Sequence, residues 1–230
     1  MIHRIVSPFK EFGFFAGSLY VLNRIFNSLS PNFRLFYYEL MVQPITDKPL
    51  LPGSLSSNIV IREIKPGDPE LALMPIRKDI LESRLQQQTI CLGAFSKEKF
   101  IGYIWFCFGS YLEDEVRCIY DLSPENEAVF DFDLYLFPEH RLGLGFMAIW
   151  DGANKYLSSK GIKYTFSRLT RYNLPSRNAH AHLGWKVAAH AIILKAGTAE
   201  ILMTNTSPYF HISLRESNWA RLKLKSDSLR

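Results

Sequence analysis

The sequence holds only three cysteines in 230 residues, Cys91, Cys107 and Cys118, and none of them lies in a C-x-x-C spacing. Three thiols cannot all pair, and the missing spacing removes a thiolate zinc site. The chain therefore reads as the product of a reducing compartment, the cytoplasm by default, with cysteines serving as small apolar residues. Long hydrophobic runs are lacking too: Phe12 to Leu22 is closed by Asn23 and Arg24, well short of the roughly 20 residues that a spanning helix needs. Glu11 abuts that run and no A-x-A site follows, so no secretory signal is expected. No internal repeat or low-complexity bias is evident. A composition of 47% hydrophobic, 14% aromatic and 21% charged residues excludes collagen, coiled coil and disorder, and 230 residues suffice for one large or two small domains.

Charge of one sign is missing from two stretches. Between Gly152 and Ala199 there is no acid, against eight basic residues: Lys155, Lys160, Lys163, Arg168, Arg171, Arg177, Lys186 and Lys195. From Glu113 to Glu139 nine acids face Arg117 alone, although the whole chain carries +5. Such asymmetry suits an enzyme that holds a phosphorylated cofactor on one side and an amine on the other; segregated solvated faces are the plainer reading. A nucleic-acid surface is not expected, because the basic residues are not interleaved with a stacking platform and the acidic block repels phosphate.

The chain divides by pattern into an N-terminal segment 1–57, a main domain 58–205 and a basic tail 206–230. Phe15, Leu19, Leu22, Phe26 and Leu29 repeat at helical spacing until Pro31 stops them, which predicts one amphipathic helix. FRLFYYELMVQP is a strand or a second short helix, and DKPLLPGSLSS is a connector. Beyond it, NIVIREI predicts a strand and Pro69 to about Gln88 a helix. TICLGAF and KFIGYIWFCF form a hairpin through SKEK. AVFDFDLYLF alternates so as to put Asp131, Asp133 and Tyr135 on one face and Phe130, Phe132, Leu134 and Leu136 on the other. A helix follows the next glycines, with Gly161 beyond its last turn as C-cap. IKYTFSRL is a strand, PSRNAHAHLG a short helix, and VAAHAIILKAGTAEILMT a hairpin; the tail from Arg215 reads as mobile.

A strand, the tight turn Arg141-Leu-Gly-Leu-Gly145 and a helix make a cradle for an anion, since glycines let the backbone approach and the first helical amides point at it. The same glycines suggest a dinucleotide fingerprint, but the acid needed about 20 positions later is absent until Glu200. His180 and His182, at i and i+2, do not share a helix face, so no metal pair is expected.

LYLFPEHRLGLG resembles the GNAT superfamily's strand ending in Pro-Glu followed by Q/R-x-x-G-x-G/A. Asn173-Leu-Pro-Ser176-Arg-Asn-Ala-His180-Ala-His-Leu-Gly184-Trp185 is similar to that family's N-x-P-A/S-x-x-x-Y-x-x-x-G-F. His140 stands at the Q/R position with Arg141 one place later, His180 stands where many members carry tyrosine, and Trp185 replaces phenylalanine. The resemblance implies an α/β fold, a GNAT-like mixed central sheet flanked by helices, with an extra N-terminal helical segment. It also implies transfer of an acetyl or other acyl group from coenzyme A to an amine by direct attack on the thioester. Acetyl-CoA or another acyl-CoA is the implied co-substrate. Its pantetheine is expected along Leu134, Tyr135 and Leu136, and its diphosphate on the turn of His140, Arg141, Leu142, Gly143, Leu144, Gly145 and Phe146. Asn173 and Ser176 would hold the cofactor arm. His180 would protonate the thiolate, and Asp131 or Asp133 would take the amine proton.

The alternative is a non-catalytic GNAT-like module that binds acyl-CoA or acts through its N-terminal extension. The acceptor amine is not legible. Burying the five apolar residues of the first helix, at roughly 1.5 to 3 kcal/mol each, predicts docking on the domain or on a second copy of the chain, making a homodimer. A weak membrane-surface contact is the competing use, since few basic residues flank that helix.

Overall fold

A computed structural model describes residues 2–52, 59–141 and 144–229. In chain order its elements are α1 (Ile2–Leu29), β1 (Phe33–Pro44), β2 (Ile59–Ile64), a 3₁₀ turn (Pro69–Leu73), α2 (Lys78–Gln86), β3 (Thr89–Ser96), β4 (Lys99–Phe108), β5 (Ser110–Leu112), β6 (Cys118–Ser123) and β7 (Ala128–Leu136). A 3₁₀ turn (Pro138–His140), α3 (Gly145–Ser159), β8 (Tyr164–Thr170), α4 (Leu174–Ala181), β9 (Lys186–Ala196), β10 (Ala199–Thr204), β11 (Phe210–Ser213) and β12 (Ala220–Lys225) follow. The chain forms two compact units: Pro44–Tyr111 with Leu122–Ser167, and Met1–Gln43 with Leu112–Asp121 and Arg168–Arg230. The connector residues 53–58 lie outside the described residues.

In the first of these units β2, β3, β4 and β7 pair antiparallel in that order, and β8 joins β7 in parallel. Lys97 and Glu98 turn the β3–β4 hairpin at SKEK, both with positive φ, the geometry that matches the twist of two antiparallel strands. α3 buries Ala148, Ile149, Trp150, Ala153 and Leu157, and Trp150 meets Phe106 edge-on at 6.2 Å. Gly161 adopts φ +77 just beyond α3 while the Ile162 amide reaches back to the Leu157 carbonyl, as its C-cap position predicts. The expected helix from Pro69 is shorter than its apolar spacing suggests: a 3₁₀ turn comes first, and α2 begins only at Lys78.

The other unit carries β1, β9, β10 and β11 as neighbouring antiparallel strands, and a small sheet has the order β12-β6-β5. FRLFYYELMVQP is thus a strand, paired to β9 from Phe33↔Ala196 to Val42↔Lys186. The tail from Arg215, expected to be mobile, instead carries β12, where Leu222 and Leu224 alternate inward. α1 breaks at Gly13, whose φ of +79 and ψ of 174 only glycine adopts readily. Its predicted apolar face is not its buried face: Phe15, Leu22 and Leu29 are exposed, while Ala16 and Gly17 are buried. Contact runs through the small residues because the Tyr172 hydroxyl donates to the Ala16 carbonyl (3.2 Å), with Phe12 and Tyr20 packed against the same ring. Among the described residues no helix is long and apolar enough to cross a membrane.

The two oppositely charged stretches largely neutralise their charges in local ion pairs. Arg168 meets Glu113 (2.7 Å) and Glu115 (2.8 Å), and Lys163 meets Glu127 (2.6 Å). Arg171 and Arg177 converge on Glu39, and Lys195 on Glu200. Separate anion and cation surfaces, one expectation from the charge pattern, are therefore not what these residues build.

A methyl added at Gly152 on α3 would lie 2.3 Å from Ile61 Cγ1 on β2. Gly152→Ala is expected to lower stability by about 1–3 kcal/mol through overpacking, read as a fall in the urea midpoint with an unchanged m-value.

Candidate functional site

The site begins with an irregularity in β7. Tyr103 of β4 pairs with Tyr135, but Trp105 pairs with Phe132, so Asp133 and Leu134 together oppose one residue of β4. That is a β-bulge. Asp133 takes φ +49, a left-handed conformation that costs a non-glycine residue about 1–2 kcal/mol. Arg84 of α2 holds it: the guanidinium Nη1 lies 2.5 Å from Asp133 Oδ2 and sits over the rings of Phe132 (5.0 Å) and Trp105 (5.9 Å). Arg84 is the buried residue of α2.

The bulge corrects the simple alternation. Phe130 and Phe132 both stack on Tyr111, so Asp131 points to the opposite face. Tyr135 stacks on Tyr103 and Phe132 on Trp105, which puts Phe132, Asp133 and Tyr135 on the Arg84 side. Asp131 and Asp133 therefore do not share a face, because the extra residue turns the strand over between them. Burial pushes the Asp131 carboxyl up to about 7, offset in part by the hydroxyls of Thr165 and Ser167 on β8.

The β7–β8 ladder ends at Asp131↔Ser167, so Phe132 to Leu136, with the expected pantetheine positions Leu134, Tyr135 and Leu136, run on unpaired to β8. The strand then passes through Pro138–His140 into α3. Arg141 folds back, its Nε donating to the Leu136 carbonyl (2.9 Å) and its guanidinium lying 5.3 Å over Tyr135. His140 Nε2 is buried with no hydrogen-bond partner among the described residues. Leu142 and Gly143 lie outside the described residues. Leu144 precedes the helix at Gly145 without a side-chain cap, and the first turn carries no acid, so neither of these offsets the positive end of α3. A Cβ at Gly145 would come within 3.0 Å of the Leu136 side chain and 3.3 Å of the His140 carbonyl. Glycine there keeps strand end and helix start together. An extended strand edge that leads into an uncapped helix N-terminus suits a ligand with an amide-bearing arm and a diphosphate.

In the other unit, Asn173 caps α4 by accepting from the Ser176 amide (3.2 Å). Arg177 clasps Glu39 of β1 through Nε (2.6 Å) and Nη2 (3.3 Å), and His180 Nδ1–H donates to Gln43 Oε1 (3.4 Å). Burial lowers the His180 ring to about 4, so it is neutral at pH 7. His182 is exposed and bonds the Asn178 carbonyl at 2.8 Å. β1 thus anchors the whole second motif, although residues 1–57 lie outside the resemblance that motif carries. Glu39, Gln43 and Arg84 have no counterpart in the sequence reading.

From β2 to β10, leaving aside the short β5 and β6, the described elements run strand, helix, hairpin, bulged strand, turn, helix, parallel strand, short helix and hairpin, a mixed sheet with helices and an added N-terminal helix. No protein-family model and no curated protein matches the sequence. Among solved structures, the chain is similar to a conserved protein of unknown function from Staphylococcus epidermidis, at 12% identity, TM-score 0.49, and 77% and 67% of the two chains covered. It is also similar to a tandem GNAT protein of the clavulanic acid biosynthesis pathway (14%, TM-score 0.48, 71% and 54%). A third is an aminoglycoside N-acetyltransferase in complex with CoA (20%, TM-score 0.41, 55% and 91%). The chain spans about half the length of the tandem protein.

Two buried groups titrate with opposite sign. Asp131, raised from its unfolded value near 3.9 to about 7, gives stability that is full below pH 4 and lost as pH rises to 7. His180, lowered from 6.5 to about 4, gives stability that is full above 6.5 and lost as pH falls to 4. Asp131→Asn should therefore gain on the wild type between pH 4 and 7, by an amount of order 4 kcal/mol, and His180→Phe should flatten the opposite slope. Denaturant titrations across that range measure both. Glu39→Gln leaves Arg177 and Arg171 without their anion and should cost about 3–5 kcal/mol in the same assay.

Proposed function

We propose that the protein transfers an acyl group from coenzyme A to an amine, in the cytoplasm. The observation that carries this reading is the continuous path from the unpaired edge of bulged β7 to the uncapped start of α3. Backbone amides and carbonyls of Phe132–Leu136 can pair with the pantetheine amides, and the amides opening α3 with the diphosphate. His140 Nε2 at the same turn, without a hydrogen-bond partner among the described residues, supports a polar ligand there. Asn173, Ser176 and His180 are assigned to the cofactor and its leaving thiolate by the likeness of their motif. Three free, buried cysteines fit a reducing compartment.

In this reaction the amine nitrogen bonds to the thioester carbonyl carbon, the C–S bond breaks, and the amine proton must leave. Asp131, with a carboxyl that titrates near neutrality, suits a general base better than Asp133, whose carboxylate is engaged by Arg84 and shapes the bulge. His180 enters as a neutral ring. With Nδ1–H on Gln43 its Nε2 accepts, so a role toward the thiolate requires the proton to sit on Nε2. Coenzyme A release as free thiol, assayed over a panel of amines with acetyl-CoA and longer acyl-CoA, tests the reading; coenzyme A binding with no turnover would favour the non-catalytic module.

Leu144→Asp places a carboxylate at the start of α3. The fold should survive, since acids favour helix N-termini, while coenzyme A affinity measured by calorimetry should fall at least about tenfold. Unchanged affinity in a folded variant would move the diphosphate site elsewhere.

A further inference from the structure

We propose that two copies of this chain pair about a two-fold axis, the outer apolar face of α1 in each copy lying on the uncovered sheet face of β9–β11 in the other. On one face of that sheet, Tyr37, Ile192, Met203 and Phe210 align across β1, β9, β10 and β11, and the next row, ending in Ile212, is aliphatic throughout. α1 meets this face over β1, where Phe15 meets Tyr37 and Phe26 meets Phe33. Coverage falls with distance from α1: Ile192 is half-buried, Met203 is 41% exposed and Phe210 56%. Three strands at roughly 4.8 Å spacing make a shelf about 10–14 Å wide, room for one more helix beside α1.

The same molecule presents a helix face of the matching kind. Phe14, Leu22, Ile25 and Leu29 lie along one outer side of α1, Phe14 at 82% and Leu29 at 74% exposure. Helix face and shelf together expose on the order of 1,000 Å² of apolar side chain, given about 150–250 Å² for each large residue. Taken together, the two surfaces suit one partner's share of a stable interface. A two-fold pairing uses each surface twice and leaves neither open. Charge argues against a lipid occupant: Arg24 is the single charged residue from Phe12 to Phe33, and anionic membrane binding needs a basic rim.

The test is sedimentation velocity on the full chain. The wild type should sediment at twice the chain mass of 26.5 kDa. Ile25→Glu on the helix face and Phe210→Lys on the shelf are each expected to weaken association at least about tenfold with unchanged circular dichroism. Mixed in equal amounts, the two variants should recover a dimer, because one Glu–Lys contact and one native contact replace the two broken ones. Should either variant unfold, Leu29→Glu and Leu214→Lys, also at exposed positions, take its place. A wild type that stays monomeric, with or without binding to phosphatidylserine–phosphatidylcholine vesicles, overturns the proposal. So does a dimer indifferent to both substitutions, or a mixture that remains monomeric.

Discussion

The site depends on one ion pair. Arg84 neutralises Asp133 at a backbone conformation that a non-glycine residue does not favour, and the surrounding rings of Phe132 and Trp105 keep the guanidinium largely out of water. A charged hydrogen bond in such surroundings is stronger than one at the surface, which offsets the strain. With the bulge fixed, β7 reverses its faces, parts from β8 after Asp131 and delivers its end to the start of α3. A regular strand would have kept Asp131 and Asp133 on one face.

A second constraint acts in the other unit. Glu39 and Gln43 stand four residues apart on β1, hence on one face, and reach Arg177 and His180, three residues apart on α4. The pairing makes the N-terminal segment a brace for the short helix that carries the second motif. It also bears on why His180 is uncharged: burial keeps water from the ring, and its Nδ1 lies against a neutral amide, Gln43.

Charge pattern in sequence and charge in space diverge here. An acid-free stretch and an acid-rich one suggest two surfaces of opposite sign, yet Arg168 with Glu113 and Glu115, and Lys163 with Glu127, combine them. The uncapped, acid-free start of α3 carries the positive end of its dipole whatever the pairing of the charged side chains.

Local signals in the sequence determined the elements that local forces make: both hairpins, the Gly161 cap, the stop at Pro31 and the strand–turn–helix around Gly145. Each rests on the backbone preferences of a few adjacent residues, so each was legible. The face assignment of Asp133 was not, because a bulge is one residue of register between two strands and leaves no period of its own in either. Nor was the role of β1, since Glu39 and Gln43 meet partners more than 130 positions away. The buried side of α1 also escaped, because it is chosen by the fit of Ala16 under Tyr172 rather than by apolar content. Periodicity fixes which residues share a face only where no bulge intervenes; the packed tertiary structure decides where the register slips and which face is covered.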